Sequence, residues 1–337
     1  MKIKAEPLTL SLRTPFRIAH GTSTTRQNVL VRIEDGVGVA AIVPYYATTV
    51  EDVIAYVDSP QLAESLGDDP AMLEDMLDRL PPGPAPARAA IDMALHDLWG
   101  KHLGMALWRL WGLNPGRAPL SSHTLGIAEE DEFRQRVREV HDLPILKIKL
   151  GTGRLDKDEA LVRIARQETA ARLCVDANAA WTVEEALAII PKLAAYDLLF
   201  IEQPLAQHDL DGWRRLASSL SAEHPPLIAD ESVHDAQDIL KLAGAADGIN
   251  IKLAKCGGLR EARRMIALAR TLGMKVMLGC MVESSVGVTA AGHLAPLVDY
   301  ADLDGNLTVD NDPYQGMRWE KGKLELPILP GLGVVRQ

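Results

Sequence analysis

The chain has 337 residues, of which 47% are hydrophobic and 24% charged, and its formal net charge at pH 7 is -10. This length accommodates one large barrel of roughly 200 to 250 residues plus a smaller module, and the negative charge argues against a nucleic-acid surface. No apolar run approaches a membrane helix and the first residues lack a secretory signal, so a soluble, cytoplasmic protein is expected.

The first third of the sequence alternates between extended and helical patterns. Runs rich in β-branched residues predict strands, which cover residues 8–12, 28–33 and 37–43. Apolar residues at helical spacing predict helices, which cover residues 50–57, 71–80 and 85–103. We therefore expect an α+β module at the start of the chain.

From residue 118 onward, short apolar runs alternate with amphipathic segments, which predicts a parallel βα repetition. The eight candidate strands cover residues 120–125, 145–150, 173–177, 198–202, 227–230, 249–252, 276–279 and 300–304. The clearest helical patterns between them cover residues 156–168, 182–196 and 259–272. Eight strands with intervening helices are typical of a closed α/β barrel. Residues 321–333 predict a final hairpin that returns to the first module.

Nearly every predicted barrel strand ends in charged residues, at the face where barrel enzymes carry their active sites. Asp176, Glu202 and Asp230 end three neighbouring strands. A single carboxylate there could simply cap a helix, but three that converge repel one another unless a cation lies among them. Such oxygen donors suit a hard ion, so we predict one Mg²⁺ per subunit, for which Mn²⁺ could substitute. Glu231 competes with Asp230, and strand alternation does not choose between them.

Two lysines fall on strands that lie across the barrel axis from each other. Lys149 ends the second predicted strand and Lys252 the sixth, so a substrate between them has an amine on each face of its reacting carbon. This geometry suits epimerisation, because one lysine can remove a proton and the other can return one to the opposite face. A lysine that merely snorkels from a strand edge is the alternative for each.

Lys147 shares a face of its strand with Lys149, and we expect it to bind the substrate where negative charge develops. Mg²⁺ and a second ammonium should lower the pKa of the lysine that acts as base.

Three further features are less specific. Asp302 and Asp304 share one face of the eighth strand and could receive a substrate ammonium, although Asp304-Gly305 is also common turn chemistry. Cys280 ends the seventh strand and either packs in the core or borders the ligand. Cys256-Gly257-Gly258 either cradles an anion at the start of a helix or only makes a turn.

Several motifs together resemble the enolase superfamily, specifically its muconate-lactonising-enzyme subgroup. They are Lys147-x-Lys149, Asp176-x-Asn178, Ile201-Glu202-Gln203-Pro204, Asp230-Glu231-Ser232 and Asn250-Ile251-Lys252-Leu253-x-Lys255-x-Gly257-Gly258. The resemblance implies a (β/α)₇β barrel over residues 113–310 and an α+β capping domain over residues 1–112, to which residues 311–337 return. It also implies Asp230 rather than Glu231 as the third metal ligand, with lysine bases that work beside Mg²⁺. A homo-oligomer is expected.

Within that subgroup, Asp302-x-Asp304 resembles the pair with which dipeptide epimerases hold the α-ammonium of a dipeptide. The resemblance therefore implies an Mg²⁺-dependent enzyme that inverts the α-carbon of the C-terminal residue of an L,L-dipeptide through an enediolate. It also implies that Thr124, Lys147 and Cys280 line the substrate site.

The side chains of the preferred dipeptide are less well indicated. No arginine in the cap segment 17–26 is assigned as the reader of a glutamate side chain, whereas Glu51, Asp52 and Glu283 favour a cationic dipeptide. An N-acylamino acid racemase and a muconate or o-succinylbenzoate type cycloisomerase or synthase are alternatives in the same subgroup. A non-catalytic peptide-binding barrel is an alternative of another class.

Overall fold

The N-terminal sheet and its helices come first in this computed structural model, which describes residues 1–18, 21–43 and 47–337. The antiparallel sheet has the order β1 (Ile3–Ile18), β2 (Gly21–Ile33), β3 (Gly36–Ala41). The helices are α1 (Val50–Val57), α2 (Pro60–Ser65), α3 (Leu73–Arg79), α4 (Ala85–His102) and α5 (Leu107–Leu110). The predicted α+β arrangement is confirmed, with α2 and α5 as additional short helices.

Helix α4 packs directly against strand β3. A Cβ atom on Gly38 would lie 1.9 Å from the carbonyl oxygen of Ala90, and one on Gly36 would lie 2.2 Å from that of Ala94. The two glycines therefore let the helix backbone approach the sheet closely. Ala90 and Ala94 are themselves 0% exposed, so the contact is dry and tight.

Eight parallel strands follow and form the barrel. They are β4 (His123–Leu125), β5 (Ile145–Lys149), β6 (Arg172–Asp176), β7 (Leu198–Glu202), β8 (Leu227–Ala229), β9 (Gly248–Ile251), β10 (Lys275–Gly279) and β11 (Tyr300–Asp302). A bridge between Ser121 and Ala301 joins the first strand to the last. The predicted (β/α)₇β barrel with a capping domain is thus confirmed.

Helices connect these strands and surround the barrel. They are α6 (Glu130–Glu139), α7 (Leu155–Glu168), α8 (Val183–Ala194), α9 (Leu210–Ser219), α10 (Ala236–Leu242), α11 (Leu253–Cys256), α12 (Leu259–Thr271) and α13 (Ser285–Gly292). Two 3₁₀ helices lie at Pro115–Arg117 and Ala295–Leu297. Among the described residues, no helix combines the length and the apolar character needed to cross a membrane.

An apolar layer fills one end of the barrel interior and sets the position of the charged residues. Its members come from five different strands and form one buried cluster: Ile145, Cys174, Phe200, Ile228 and Met277. Because side chains alternate along a strand, the residues two positions further on point into the same interior. Those residues include Lys147, Asp176, Glu202 and Asp230. The charged residues therefore form the next layer, toward the carboxyl ends of the strands.

The tail contributes four short strands, β12 (Tyr314–Gln315), β13 (Arg318–Glu320), β14 (Lys323–Glu325) and β15 (Val335–Arg336). Strands β13 and β14 form a hairpin that begins slightly before the predicted one, and the backbone of Gly322 contacts Ser121 at the start of the barrel. The tail then returns to the first module, where the backbone N–H of Leu332 donates to Asp97 of α4 at 2.8 Å.

His293 links the end of α13 to this tail. It is 0% exposed, its Nε2 lies 3.0 Å from the carbonyl oxygen of Leu332, and the backbone N–H of Trp108 donates to its Nδ1 at 3.3 Å. Those partners fit a neutral ring that donates from Nε2 and accepts at Nδ1. Burial lowers the pKa of His293 to about 4, from an ordinary value of 6.5.

We expect His293 to make the fold sensitive to acid. As pH falls from about 6.5 toward 4, the unfolded imidazole takes up a proton that the buried ring resists, so up to roughly 3 kcal/mol of stability is lost. Denaturant unfolding of wild type and His293→Gln across this pH range tests the prediction, with the exposed His141→Gln as control. Equal acid sensitivity of His293→Gln and wild type would contradict it.

Candidate active site

The three predicted metal ligands lie side by side at the ends of neighbouring strands. Lys149 is in register with Asp176, and Asp176 is in register with Glu202, in the parallel pairing of β5, β6 and β7. Asp230 follows directly after β8, the next strand in the sheet. Asp176 and Glu202 are 0% exposed and Asp230 is 1% exposed. The barrel therefore brings the three predicted metal ligands to one buried layer.

Lysine side chains neutralise these carboxylates in pairs. The Nζ atom of Lys149 donates to Asp176 Oδ2 at 2.6 Å. The Nζ atom of Lys252 donates to Asp230 Oδ2 at 2.7 Å. Each of the two predicted bases is thus ion-paired with a predicted metal ligand. Since buried charges are stable only when compensated, the pairs explain how so many charges are tolerated here.

Lys147 completes the charge balance. Its Nζ atom lies 2.6 Å from Glu202 Oε2, 2.7 Å from Asp302 Oδ2 and 3.4 Å from Asp176 Oδ2, and it is 1% exposed. Burial would lower the pKa of this lysine, but the surrounding carboxylates raise it well above its usual value, Asp302 foremost. Lys147 is therefore a fixed cation in the centre of the site.

The pKa values of the three carboxylates show how crowded the layer is with negative charge. Burial and the charge of Asp176 raise the pKa of Glu202 to about 8. Burial would also raise the pKa of Asp176 and Asp230, but their lysine partners outweigh it and hold both below their usual range. A further cation is thus electrostatically favourable beside Glu202.

The donor set fits a hard divalent cation. Within residues 1–18, 21–43 and 47–337, no three His, Cys, Asp or Glu side chains already stand in the arrangement of a metal centre, and ammonium groups lie among the carboxylates. The chemistry nevertheless matches: three buried carboxylates on adjacent strands offer only oxygen donors, which Mg²⁺ prefers. Asp176, Glu202 and Asp230 are the residues that would hold it.

Glu231, the competitor of Asp230, has different surroundings. The side-chain amide of Asn178 donates to its Oε1 at 3.4 Å, and burial together with the charge of Asp230 raises its pKa to about 7. Asp230, in contrast, forms ion pairs with two lysines, Lys252 and Lys255. The two neighbouring acids therefore face different partners, and the choice of Asp230 as the metal ligand stays a prediction.

The predicted bases lie on opposite sides of one pocket. Lys149 on β5 and Lys252 after β9 are four strands apart in a ring of eight, and each is 8% exposed. All predicted catalytic and substrate-binding residues line this same pocket: Thr124, Lys147, Lys149, Lys252, Cys280, Asp302 and Asp304. The geometry matches the arrangement expected for proton transfer on two faces of one carbon.

The pKa of Lys149 reflects the charges that surround it in this structure. The pKa of Lys149 is raised above its usual value. The lowering expected from a bound Mg²⁺ and a second ammonium stays a prediction. Burial does act to lower it, but the ion pair with Asp176 outweighs burial and the repulsion from Lys147. The ion pair with Asp176 therefore favours the ammonium form of Lys149.

Asp302 and Asp304 line the same pocket at the end of β11, which lies between the strands that lead to the two lysines. Asp302 Oδ1 accepts from the hydroxyls of Ser122 at 2.7 Å and Thr124 at 3.1 Å, and Asp304 Oδ2 accepts from the backbone N–H of Thr124 at 2.7 Å. Lys147 lowers the pKa of Asp302 to about 2, against the effect of burial, whereas burial and the charge of Asp302 raise that of Asp304 to about 7. Both carboxylates border the pocket, and Asp304 also begins a turn, because its carbonyl oxygen accepts the backbone N–H of Leu307 at 3.0 Å.

Cys280 borders the same pocket rather than lying wholly in the core. Its thiol donates to the backbone oxygen of Asp302 at 3.2 Å, and burial raises its pKa well above the usual value. The thiol is therefore protonated and serves as a small wall of the pocket, not as a nucleophile.

Sequence reasoning missed several residues that support the site. Lys255 Nζ lies 2.5 Å from Asp230 Oδ1, and the side-chain amide of Asn250 donates to Glu202 Oε1 at 2.8 Å. Both belong to the Asn250-to-Gly258 motif, and Asn250 shares a strand face with Lys252, so alternation could have identified it. Arg26 and Val43 also line the pocket from the cap, a contact between modules that no local pattern reveals. Residues 19 and 20 of the predicted cap segment lie outside the described residues.

The barrel, the buried carboxylates and the paired lysines define a class of protein: a barrel enzyme for acid–base chemistry on a carbon next to the carboxylate of its substrate. Comparison with known families agrees. Residues 2–112 match the mandelate racemase/muconate lactonizing enzyme N-terminal domain, and residues 130–336 match the enolase C-terminal domain-like family. The chain belongs to this mandelate racemase/muconate lactonizing enzyme family within the enolase superfamily.

Individual relatives are similar along the whole chain. An L-Ala-D/L-Glu epimerase of Bacteroides thetaiotaomicron is 41% identical, over 100% of this chain and 88% of the relative. An L-Lys-D/L-Arg epimerase of Methylococcus capsulatus is 36% identical, over 96% and 95%. The crystal structure of a dipeptide epimerase from Enterococcus faecalis, complexed with Mg and L-Leu-L-Tyr, superposes with a TM-score of 0.90 at 32% identity and 99% coverage of each chain.

The metal assignment predicts how Mg²⁺ affects thermal stability. An ion that binds only the folded protein stabilises it by about 2.7 kcal/mol at 100 times its Kd. Calorimetry in MgCl₂ and in EDTA should show this increase in Tm for wild type and for Glu231→Gln, but not for Asp230→Asn. The opposite result, in which Glu231→Gln loses the increase and Asp230→Asn keeps it, would make Glu231 the ligand.

Proposed function

We propose that this protein is a Mg²⁺-dependent dipeptide epimerase, which inverts the α-carbon of the C-terminal residue of an L,L-dipeptide. One observation carries the proposal: Lys149 and Lys252 face each other across a pocket whose wall carries the acidic pair Asp302 and Asp304. Two amines on opposite faces suit inversion at carbon, and the acidic pair suits a substrate that bears an ammonium group.

The relatives support the same chemistry. Those named above are epimerases, and further structural neighbours are dipeptide epimerases of Cytophaga hutchinsonii and Methylococcus capsulatus, each complexed with Mg and a dipeptide. Their identities to this chain are 26% and 32%, with TM-scores of 0.90 and 0.89. The carboxylates at the strand ends of this chain offer Mg²⁺ its preferred ligands, so we extend the metal and the substrate class to it.

The proposed reaction is a proton transfer through an enediolate. One lysine, in its neutral form, takes the α-proton, and the electron pair left on carbon moves into the neighbouring carboxylate. The other lysine, as an ammonium, gives a proton to the opposite face, so one proton leaves and one arrives. Lys147, which is ion-paired with Glu202 in the site, would stabilise the negative charge that develops on the substrate carboxylate as the enediolate forms.

The remaining groups orient the substrate and balance its charge. Bound Mg²⁺ would supply positive charge to the substrate carboxylate and would compete with the lysines for Asp176, Glu202 and Asp230. Asp302 and Asp304 would bind the α-ammonium of the dipeptide, with Thr124 fixing both carboxylates through its hydroxyl and backbone N–H. Cys280 would bound the pocket beside them.

We also propose that the two modules have different roles. Residues 1–112, together with 311–337, act as the cap, and residues 113–310 act as the catalytic barrel. The contacts of Arg26 and Val43 with the pocket support a role of the cap in choosing the side chains of the dipeptide.

The side-chain preference remains a prediction. A cationic dipeptide was favoured by Glu51, Asp52 and Glu283, and the L-Lys-D/L-Arg relative supports it. Asp52 is engaged in capping α1, while Glu283 is buried and close enough to Lys252 for their charges to interact. Arg26 also lines the pocket, and a cation there favours an acidic side chain instead, which agrees with the name of the L-Ala-D/L-Glu relative.

Deuterium exchange tests the proposed reaction and the side-chain preference together. Incubation with Mg²⁺ in D₂O and a library of acidic, cationic and apolar L,L-dipeptides should place deuterium on the α-carbon of the C-terminal residue, detected by mass spectrometry. Exchange restricted to N-acylamino acids would favour a racemase of the same family. The absence of exchange in every dipeptide would contradict the proposal.

Removing the acidic pair tests the ammonium site. We expect Asp302→Asn to raise KM for dipeptides by about tenfold or more, because a charge-assisted hydrogen bond to the ammonium is lost. Asp302 also contacts Lys147, so Asp304→Asn serves as a matched variant: Asp304 lies against Thr124 and His123 instead. Kinetics with a dipeptide and its N-acetyl derivative measure the effect. An unchanged KM in both variants would refute the assignment.

A further inference from the structure

We infer that Asp92 of the cap is a positioning residue for Lys252 but not for Lys149, so that the cap controls one face of the proton transfer. The inference rests on the proposed two-lysine function and adds a residue outside the pocket. It follows from the contacts of Asp92 with the segment that carries Lys252.

Asp92 lies in α4 and is 3% exposed. Its carboxylate accepts the backbone N–H of Leu259 at 2.6 Å and that of Arg260 at 3.2 Å. These are the first residues of α12, whose own N-cap residue, Gly258, has no side chain to offer. A carboxylate from the cap therefore satisfies the start of a barrel helix and also suits its positive end.

Gly258 is shaped for this contact. Its φ is +126°, and a Cβ atom there would lie 2.4 Å from both Cβ and Cγ of Asp92. Only glycine permits the carboxylate to come so close. The Gly257-Gly258 pair, read from the sequence as an anion cradle or a turn, thus makes a turn that receives the anionic side chain of Asp92.

The same segment fixes Lys252. Lys252 is the N-cap residue of α11, and its carbonyl oxygen accepts the N–H groups of Lys255 at 2.9 Å and Cys256 at 3.1 Å. Lys255 anchors this turn to the active-site layer through Asp230. Asp92 anchors its other end through Leu259. The backbone from residue 252 to 259 is therefore held between the metal-ligand layer and the cap.

In the part of the chain that the structure describes, the contacts recorded for the Lys149 segment come from the barrel. The loop after Lys149 is held by Asp158 of α7, which accepts the backbone N–H of Thr152 at 3.0 Å and its hydroxyl at 2.7 Å. Trp181, in the loop after β6, donates its indole N–H to the same carboxylate at 2.9 Å. Asp158 is thus the barrel counterpart of Asp92 and provides a matched control.

Variants with a single lysine separate the two faces. In D₂O, Lys149→Ala leaves Lys252 to exchange the α-proton that faces it, and Lys252→Ala leaves Lys149 to do the same for the other epimer. Adding Asp92→Ala should slow the Lys252-dependent exchange by about tenfold or more, since small misplacements of a base are costly. The Lys149-dependent exchange should change by less than about twofold. Asp158→Ala should show the reverse pattern.

Amide hydrogen exchange gives a readout that needs no substrate. We expect Asp92→Ala to accelerate exchange in residues 252–260 and to leave residues 149–153 unchanged. Gly258→Ala, which pushes the carboxylate away, should reproduce both effects if Asp92→Ala does not fold. Equal slowing of both lysines, no slowing of either, or equal loss of protection in both segments would overturn the inference. If wild type exchanges no dipeptide, the proposed function fails, and the amide exchange still decides whether Asp92 holds the Lys252 segment.

Discussion

The structure depends on the burial of four lysines among the carboxylates inside the barrel. The lysines are Lys147, Lys149, Lys252 and Lys255, and each contacts at least one buried carboxylate within 2.7 Å. Charges without partners would be very costly at such depth, so each lysine lies where a carboxylate compensates it. These ion pairs also bear on the chemistry. A cation that binds one of the carboxylates weakens its ion pair and thereby lowers the pKa of the neighbouring lysine.

The fold supplies this layer by simple alternation. An apolar cluster closes one end of the barrel interior, and the next inward-pointing residues on the same strands are charged. The two predicted bases, Lys149 and Lys252, then lie on opposite walls because their strands are four positions apart in a ring of eight. The cap adds the final contacts, with Arg26 at the pocket and Asp92 at the segment behind Lys252.

Much of this could be predicted from the sequence, because the signals are local. Strand alternation and charged strand ends predicted that Asp176, Glu202, Lys149 and Lys252 lie together, as they do, and β7 was predicted with its observed bounds. Their roles as metal ligands and bases stay predictions. What escaped prediction depends on contacts between distant residues. The ion pair that raises the pKa of Lys149 depends on side-chain positions across two strands. The contact of Asp92 with Leu259 spans 167 positions, and α11 is too short for a periodic pattern.

The most direct test of the account is a crystal structure with Mn²⁺, located by its anomalous scattering, and a bound dipeptide. The account predicts one Mn²⁺ held by Asp176, Glu202 and Asp230, with the Nζ atoms of Lys149 and Lys252 on opposite faces of the C-terminal α-carbon. A metal bound elsewhere, or both amines on the same face of that carbon, would contradict it.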